Sequence, residues 1–458
     1  MIIRRLLVAN RGEIAVRVLR TCRQLGIETV LAASDADLES TAARLADSTV
    51  CIGAARPGAS YLNVGAVVDA AVRTRCEAIH PGYGFLSENA AFARACRSSN
   101  IVFVGPTEEQ LAAVGDKLEA RRHAIGAALP VIPGGLATSV AEAAEVAGRI
   151  GWPVLIKAVA GGGGRGMKHV REAAELPQAL ELATAEAYSA FGDSRVYLER
   201  FVASGRHVEV QVLGDGDNVI HLGDRDCSIQ RRYQKLIEEA PAPDLPPQLR
   251  TAMHEAAVRF AKRLSYRGAG TVEFLVDRVR EEFYFLEMNA RIQVEHPVTE
   301  SVTGLDLVAE QLAVAQGQRL RIGQDGVRID GHAIECRINA EDSERDFRPS
   351  PGTVTGAVFA AGPGIRVDTH IESGSRVPPF YDSLLAKVIA HAGTRADCLR
   401  KLRTAVATCR IEGVQTNLIL HSRILASSEF ATGGVDTAFL TRFLANPPAR
   451  APGGGASG

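Results

Sequence analysis

The chain has 458 residues, of which 46% are hydrophobic and 23% charged, and its formal net charge is -1. A chain of this length is too long to fold around a single hydrophobic core, so two or three domains are expected. The near-zero charge gives no general attraction to nucleic acid or anionic lipid, so neither is expected as a partner. No apolar run reaches membrane-spanning length, and the eight cysteines contain no CxxC pair. These features predict a cytoplasmic protein with reduced thiols.

The N-terminal region has the pattern of a βαβ unit. Residues 2–9 predict a buried strand, residues 12–25 a helix that Gly26 closes, and residues 29–33 a second buried strand. Strand and helix patterns continue to about Gly105. The first turn lacks a GxGxxG fingerprint, so the pattern gives little support to a dinucleotide site.

The central region is richer in strands. Residues 117–128 and 248–263 predict helices, and the third region, from about residue 332, is strand-rich with one helix near 395–409. Residues 446–458 are Pro, Gly, Ala and Ser in the main and predict a disordered tail. The predicted central strands cover residues 153–160, 167–170, 195–198, 208–213, 271–276 and 283–288.

Residues 225–235 concentrate arginine and lysine together with Ile229, Tyr233 and two glutamines. Guanidinium, ammonium and amide donors grouped in this way suit an anion such as phosphate or bicarbonate. A salt-bridged surface loop is the competing interpretation. Taken alone, the segment leaves both open.

A glycine tract, residues 161–164, follows a predicted strand that carries Lys157. Glycines let the backbone approach a polyphosphate and point successive N–H groups at its oxygens. Because the tract joins two strands rather than a strand and a helix, it predicts a mobile phosphate lid and not a Walker loop. A flexible linker remains the alternative for the tract, and an edge-strand lysine for Lys157.

Two glutamates, Glu273 and Glu287, lie among apolar strand residues, where an unpaired carboxylate is costly to bury. A polar turn near residues 277–282 would let them face each other across a hairpin. With Asn289 they form an all-oxygen set, which magnesium prefers. The alternative places each glutamate on the solvated face of its strand.

The next segment, residues 289–300, is dense in hydrogen-bonding side chains. Arg291, Gln293 and Glu295 alternate, so on an extended chain they share one face. A guanidinium beside a carboxylate predicts an anion clamp with a candidate general base. An internal ion pair that holds a loop is the alternative. His296, which precedes a proline, is interpreted as a structural histidine.

These segments, in this order, resemble the biotin carboxylase family of ATP-grasp enzymes. The resemblance covers residues 1 to about 443 and implies an α/β fold with three domains. They are a Rossmann-like N-terminal domain (1–115), an ATP-grasp domain (116–325) with a glycine-rich lid (about 130–203), and an α+β C-terminal domain (332–443). The stretches that carry the resemblance are residues 9–15, 80–89, 161–167, 225–243, 284–300, 347–352 and 381–383.

The resemblance implies a reaction in which ATP, bicarbonate and biotin on a biotin carboxyl carrier protein give ADP, phosphate and carboxybiotin. Mg²⁺ or Mn²⁺ would be the metal. Carboxyltransferase subunits and a second copy of the chain are the other implied partners. No Met-Lys-Met tripeptide of the biotin-carrying kind is present. The carrier is therefore expected on another chain, or on a part of the protein beyond this sequence.

The resemblance also assigns roles to individual residues. Arg291, Lys235, Gln293 and Val294 match positions around bicarbonate, Glu295 matches the general base, and Arg337 matches the arginine beside the ureido oxygen of biotin. Glu273, Glu287 and Asn289 match the metal ligands. The nucleotide positions are Lys117, Lys157, Gly162, Gly163, Gly164, Arg165, Gly166, Met167, Glu199, Arg200, His207, Gln230 and Tyr233.

Two residues depart from the family pattern. Tyr233 stands where the family usually has histidine, and Arg200 where it usually has lysine, so both bear on nucleotide affinity. The alternatives are another ATP-grasp ligase, such as a carbamoyl-phosphate synthetase-like enzyme, and a degenerate ATP-binding regulatory subunit. Acetyl-CoA is the expected final acceptor, with propionyl-CoA, other acyl-CoAs and urea left open.

Overall fold

The structure is a computed structural model, and it describes residues 2–159 and 167–445. Five residues of the predicted nucleotide site therefore lie outside the described residues, as does the predicted tail at 446–458. Within the described ranges, no helix combines the length and apolar character needed to cross a bilayer. The five nucleotide-site residues are Gly162, Gly163, Gly164, Arg165 and Gly166.

The N-terminal region is a five-stranded parallel sheet in the order β3-β2-β1-β4-β5. Side chains of β1 alternate between two cores, since Leu6 packs on one face of the sheet and Leu7 on the other. The strands are β1 (Arg5–Val8), β2 (Glu28–Ser34), β3 (Ser48–Gly53), β4 (Ala78–His80) and β5 (Val102–Phe103). The helices are α1 (Gly12–Gln24), α2 (Thr41–Leu45), α3 (Val64–Arg73), α4 (Ala90–Ser98) and α5 (Glu108–Gly115).

The next segment builds a small four-stranded antiparallel sheet in the order β6-β9-β7-β8, with two helices packed on one face. This unit contains the predicted lid. Its elements, with the helix that leads into it, are α6 (Lys117–Gly126), β6 (Gly134–Ala137), α7 (Val140–Ile150), β7 (Val154–Ala158), β8 (Lys168–Val170), α8 (Leu176–Phe191) and β9 (Val196–Arg200).

Long antiparallel strands follow and form most of an eight-stranded sheet. The buried helix residues Met253 and Phe260 pack against one face of this sheet. The elements are β10 (Gly205–Asp215), β11 (Val219–Arg231), β12 (Gln234–Ala240), α9 (Pro247–Arg263), β13 (Arg267–Asp277), β14 (Glu282–Asn289), α10 (His296–Thr303) and α11 (Leu307–Ala315).

The C-terminal region adds its longest strands to the same sheet, whose order is β14-β13-β10-β11-β12-β15-β22-β20. The β12–β15 pairing joins the central and C-terminal regions through backbone hydrogen bonds. The strands are β15 (His332–Asn339), β16 (Glu341–Asp342), β17 (Arg348–Pro349), β18 (Gly352–Thr353), β19 (Gly356–Val358), β20 (Ile365–Thr369), β21 (Arg376–Val377), β22 (Leu384–Ala392) and β23 (Arg410–Glu412). The helices are α12 (Arg395–Thr408), α13 (Leu418–Ala426), α14 (Ser428–Thr432) and α15 (Phe439–Ala445).

Residues 225–229 are buried and are not a surface loop, so that interpretation is wrong for this part of the basic segment. It holds at the exposed turn, where Arg231 and Arg232 pair with Asp346. Residues 225–235 belong to the β11–β12 hairpin, two strands that the hydrophobic pattern does not reveal. Arg225 and Cys227 are fully buried. The hairpin turns at Arg232 and Tyr233, which both have positive φ (48° and 66°) without being glycine. This type of two-residue turn demands positive φ at both positions, so the backbone there is strained.

Candidate functional site

A cavity of about 1300 Å³ lies between the small lid sheet and the eight-stranded sheet. Loops of the N-terminal and C-terminal regions also contribute to its wall, through residues such as Tyr83 and Tyr381. Every predicted site residue that the structure describes lines this cavity, except Glu295. Those residues are Lys117, Lys157, Met167, Glu199, Arg200, His207, Gln230, Tyr233, Lys235, Glu273, Glu287, Asn289, Arg291, Gln293, Val294 and Arg337.

The β13–β14 hairpin carries the predicted metal ligands. Glu273 and Glu287 are direct partners in its register, so their side chains lie on the same face of the sheet. Asn289 donates a hydrogen bond from Nδ2 to Glu273 Oε1 at 2.9 Å. Burial raises the pKa of Glu287, and the charge of Glu273 adds to this. Two facing carboxylates of this kind fit a hard divalent cation, which would relieve their repulsion.

Lys235 is the central cation of the site. Its Nζ donates to Glu209 Oε2 at 2.6 Å, to Glu273 Oε1 at 2.9 Å and to Glu295 Oε1 at 2.7 Å. Burial opposes charge on Lys235, but the three carboxylates outweigh it and raise the pKa of Lys235 well above its usual range. Lys235 is therefore a permanent positive charge at the floor of the cavity.

Glu295 lies directly behind the cavity wall and is completely buried. Its Oε1 accepts from Lys235, and its Oε2 accepts from Arg337 Nη2 at 2.8 Å. Burial alone would raise the pKa of Glu295, but the charges of Lys235, Arg337 and Arg225 lower it well below the usual range. Glu295 is thus an ionised carboxylate whose two main cation partners both face the cavity.

Arg291 forms the wall next to the predicted metal ligands. Its guanidinium donates to Glu88 Oε2 at 2.8 Å, to Gln293 Oε1 at 2.7 Å and to Asn289 Oδ1 at 2.7 Å. Gln293 in turn donates from Nε2 to Glu273 Oε1 at 3.2 Å. A chain of side-chain hydrogen bonds therefore connects Arg291 to Lys235 through Gln293 and Glu273. The prediction that Arg291, Gln293 and Glu295 share one face is wrong for Glu295. Arg291 and Gln293 line the cavity, but Glu295 lies behind its wall because the chain turns at residues 294–295 instead of remaining extended.

The opposite wall of the cavity carries a second group of cations. Lys157 on β7 pairs with Glu199 on the adjacent strand β9. Burial lowers the pKa of Lys117, while the charge of Glu287 opposes this. Arg200 donates to the hydroxyl of Tyr284. These cations come from α6 and from two strands of the small lid sheet, which fits a site for a polyphosphate and its base.

His207 and Gln230 extend the side-chain network from Glu273. The Gln230 amide bonds to His207 Nδ1 at 2.8 Å, and His207 Nε2 lies 3.0 Å from Glu273 Oε2. Burial lowers the pKa of His207, but the charge of Glu273 outweighs it and raises the pKa above the usual value. Tyr233 is more than half exposed at the hairpin turn and reaches the cavity edge. His296 is fully buried and bonds to the Gln293 carbonyl at 2.7 Å, as a structural histidine would.

Several buried residues that support the site were not predicted. Arg225 donates to Glu209 Oε1 at 2.6 Å, beneath Lys235, and is itself fully buried. Glu238 accepts from Arg337, and burial raises the pKa of Glu238 to about 7 against the opposing charge of Arg337. The sequence does contain a signal for Glu209. Polar residues at 207, 209 and 211 alternate with valines, which predicts a strand with these polar side chains on one face.

Three family descriptions match the chain. "Biotin carboxylase, N-terminal domain" matches residues 2–111, and "Carbamoyl-phosphate synthase L chain, ATP binding domain" matches residues 116–323. "Biotin carboxylase C-terminal domain" matches residues 335–442. Together they span most of the described residues.

Curated relatives are similar over nearly the whole chain. The biotin carboxylase of Nostoc sp. is 50% identical over 439 residues, which cover 95% of this chain and 98% of the relative. Biotin carboxylase 1 of Bacillus subtilis is 48% identical over 444 residues, covering 96% of this chain and 99% of the relative.

Solved structures are similar to the same extent. The Campylobacter jejuni biotin carboxylase in a β,γ-ATP complex has a TM-score of 0.93 at 44% identity, covering 96% of this chain and 99% of that one. The biotin carboxylase domain dimer of Hydrogenobacter thermophilus 2-oxoglutarate carboxylase, bound to MgADP and bicarbonate, also has a TM-score of 0.93 at 44% identity. It covers 97% of this chain and 98% of that one. The predicted three-domain ATP-grasp architecture is confirmed.

Proposed function

The chain belongs to the biotin carboxylase family, and we propose that it uses ATP and bicarbonate to carboxylate biotin on a carrier protein. One observation carries this proposal. Carboxylates on one hairpin face and cations from several separate segments line a single cavity with a buried, ionised carboxylate behind it. That set of groups can hold a divalent ion, a triphosphate and bicarbonate close together.

Bicarbonate would bind at the wall formed by Arg291, Lys235 and Gln293. Lys235 and Arg291 supply positive charge. The low pKa of Glu295 keeps its carboxylate ionised, and it would accept the bicarbonate proton once substrate binding brings the two groups within hydrogen-bond reach. The freed oxygen then attacks the γ-phosphorus, the bond to the β-phosphate oxygen breaks, and ADP leaves. The product is carboxyphosphate.

ATP would extend from this wall toward the lid. Lys117 and Lys157 face the phosphates, and Glu199, Arg200, His207, Gln230 and Tyr233 surround the nucleotide. Glu273, Glu287 and Asn289 would hold Mg²⁺ or Mn²⁺, which neutralises charge on the β- and γ-phosphates when bound. We propose that the lid residues, including Met167 and the glycines before it, close over ATP and exclude water.

Biotin would take its carboxyl group at Arg337. Carboxyphosphate breaks down to carbon dioxide and phosphate, and the phosphate removes the ureido proton of biotin. Negative charge then appears on the ureido oxygen, and the Arg337 guanidinium is placed to stabilise it. Glu238 and Glu295 both accept hydrogen bonds from the Arg337 guanidinium and hold it in place. Biotin nitrogen attacks carbon dioxide to give carboxybiotin.

We propose that the partners are a biotin carboxyl carrier protein, carboxyltransferase subunits and a second copy of this chain. The family supports the carrier, and the Hydrogenobacter thermophilus domain is described as a dimer. Acetyl-CoA remains the proposed final acceptor, which would place the chain in fatty acid biosynthesis. Eight free thiols, all among the described residues, support a cytoplasmic location.

The direct test is ADP release by the purified chain, with biotin and bicarbonate added or omitted. ADP release that requires bicarbonate and increases with free biotin supports the proposal. ADP release that ignores both, or that responds to ammonia instead, would favour an ATP-grasp ligase of another kind. Copurification of the carrier and the carboxyltransferase subunits would then test the proposed acceptor.

A further inference from the structure

A buried lysine outside the proposed reacting groups holds the segment that would bind bicarbonate. Lys387 on β22 is completely buried, and its Nζ donates to the Val294 carbonyl at 2.8 Å. The same Nζ lies 3.0 Å from Glu13 Oε2, on α1. Lys387 therefore ties a peptide of the cavity wall to a carboxylate of the N-terminal region.

Tyr83 continues this connection to another part of the cavity. Its hydroxyl donates to Glu13 Oε1, while its side chain lines the cavity. Burial raises the pKa of Tyr83 well above its usual range, so the hydroxyl keeps its proton. Asn10 fixes the loop by donating from Nδ2 to the carbonyls of Pro81 and Tyr83, each at 2.7 Å.

We propose that Tyr83, Glu13 and Lys387 act as a positioning relay that fixes the Val294 peptide and so sets the affinity for bicarbonate. We call this set the Tyr83 relay, and it rests on the proposed function. Each of the three domains contributes to it: the N-terminal domain through Tyr83 and Glu13, the central domain through Val294, and the C-terminal domain through Lys387.

The position of Val294 in the chain explains why the relay affects bicarbonate. The residue before it, Gln293, bonds to Arg291, and the residue after it, Glu295, is the proposed base. Because a peptide unit is planar, fixing the Val294 carbonyl also fixes the amide that leads into Glu295. Misplacement of a reacting group by about 1 Å can cost roughly 100-fold in rate, so a small rotation here matters.

The competing explanation is that Lys387 only neutralises buried carboxylates. Asp368 Oδ2 lies 3.9 Å from Lys387 Nζ, but Asp368 is itself paired with Arg366 at 2.7 Å. Glu13 has Lys387 as its cation partner in the described contacts. A purely structural pair would affect the stability of the fold, and would alter the KM values for ATP and bicarbonate together.

The test measures KM for bicarbonate and for ATP by ADP release at saturating biotin, in Tyr83→Phe, Lys387→Met and the double variant. Tyr83→Phe removes one hydroxyl and leaves no charge unpaired. It should raise KM for bicarbonate about 3- to 10-fold while KM for ATP stays within about 2-fold. The double variant should be no worse than Lys387→Met, because Tyr83 acts through Lys387.

Tyr61→Phe is the matched control, since Tyr61 is a buried tyrosine of the same domain whose hydroxyl donates to Asp37 at 2.7 Å. It should leave KM for bicarbonate unchanged. Unchanged KM for bicarbonate in Tyr83→Phe, or additive effects in the double variant, would overturn the relay. If Lys387→Met fails to fold, the comparison of KM for bicarbonate between Tyr83→Phe and Tyr61→Phe still tests the relay. Absence of bicarbonate-dependent ADP release in the unmodified chain would instead refute the proposed function.

Discussion

Substitution of Glu295 by glutamine isolates the proposed base from the rest of the site. The variant keeps the size of the side chain and one acceptor oxygen, but it loses the charge that faces Lys235 and Arg337. General-base catalysis contributes about 10²- to 10⁴-fold, so we expect bicarbonate-dependent ATP cleavage to fall about 10³-fold. That factor corresponds to about 4 kcal/mol of transition-state stabilisation.

The free energy of folding should change less than the catalytic free energy in the same variant. Lys235 keeps its contacts with Glu209 and Glu273, and Arg337 keeps Glu238, so no cation is left alone. We expect Glu295→Gln to cost about 1–3 kcal/mol of folding free energy, the range for a buried hydrogen bond left unsatisfied. ATP affinity, measured by equilibrium binding, should remain within about 3-fold because Glu295 does not line the cavity.

The matched control is Glu239→Gln. Glu239 is also a buried glutamate with two cationic partners, Arg395 at 2.7 Å and His332 at 2.8 Å, but it lies outside the cavity. It should lose similar stability and keep its activity. The reasoning is refuted if folded Glu295→Gln turns over at a near-normal rate, or if both variants lose activity equally.

Three further predictions concern pH, the buried arginine and the nucleotide wall. Because the pKa of Glu238 is raised from 4.5 to about 7, its proton stabilises the fold at low pH, and this contribution is lost as pH rises from 4.5 to 7. Ionised Glu238 holds Arg337, so biotin-stimulated ADP release should rise through about pH 7, and Glu238→Gln should remove that step. Arg225→Met leaves Glu209 buried without a close partner at Oε1 and should cost about 3–5 kcal/mol in chemical denaturation, whereas the exposed Arg232→Met should cost under about 0.5. Lys117→Met should raise KM for ATP about 10-fold or more with little effect on KM for bicarbonate; equal effects on both would contradict its place on the nucleotide wall.

The local patterns of the sequence were enough to predict the β13–β14 hairpin, which carries the predicted metal ligands. Glu273 and Glu287 interrupt apolar runs on either side of a polar turn, and the register of β13 and β14 places them opposite each other. The prediction worked because a hairpin is a short-range structure, whose two strands are joined by a few residues. The metal itself stays a prediction.

The carboxylate layer beneath Lys235 depends on contacts that local patterns do not contain. Glu209 faces Glu273 across the β10–β13 pairing, although the two residues are 64 positions apart. Glu238 on β12 faces Glu335 on β15 in the same way, across the join between two domains. Such pairings are set by which strands become neighbours, and the pattern of a single strand does not reveal its neighbour.

The basic hairpin shows a second limit. Residues 225–231 look like a charged loop because their arginines and polar residues are dense, yet β11 is buried there. Arg225 is accommodated only because Glu209, Gln211, Thr271 and Thr299 all accept its hydrogen bonds. A buried charge requires this kind of complete pairing, and the partners come from three other elements.

The most direct test of the account follows labelled bicarbonate into biotin with the purified chain, ATP, Mg²⁺ and free biotin. The account predicts that label enters biotin with one ADP released per label, that omission of Mg²⁺ or bicarbonate stops ADP release, and that Arg337→Met abolishes the labelling. Steady ADP release without any labelled biotin, or full labelling by Arg337→Met, would contradict a site that carboxylates biotin at this cavity.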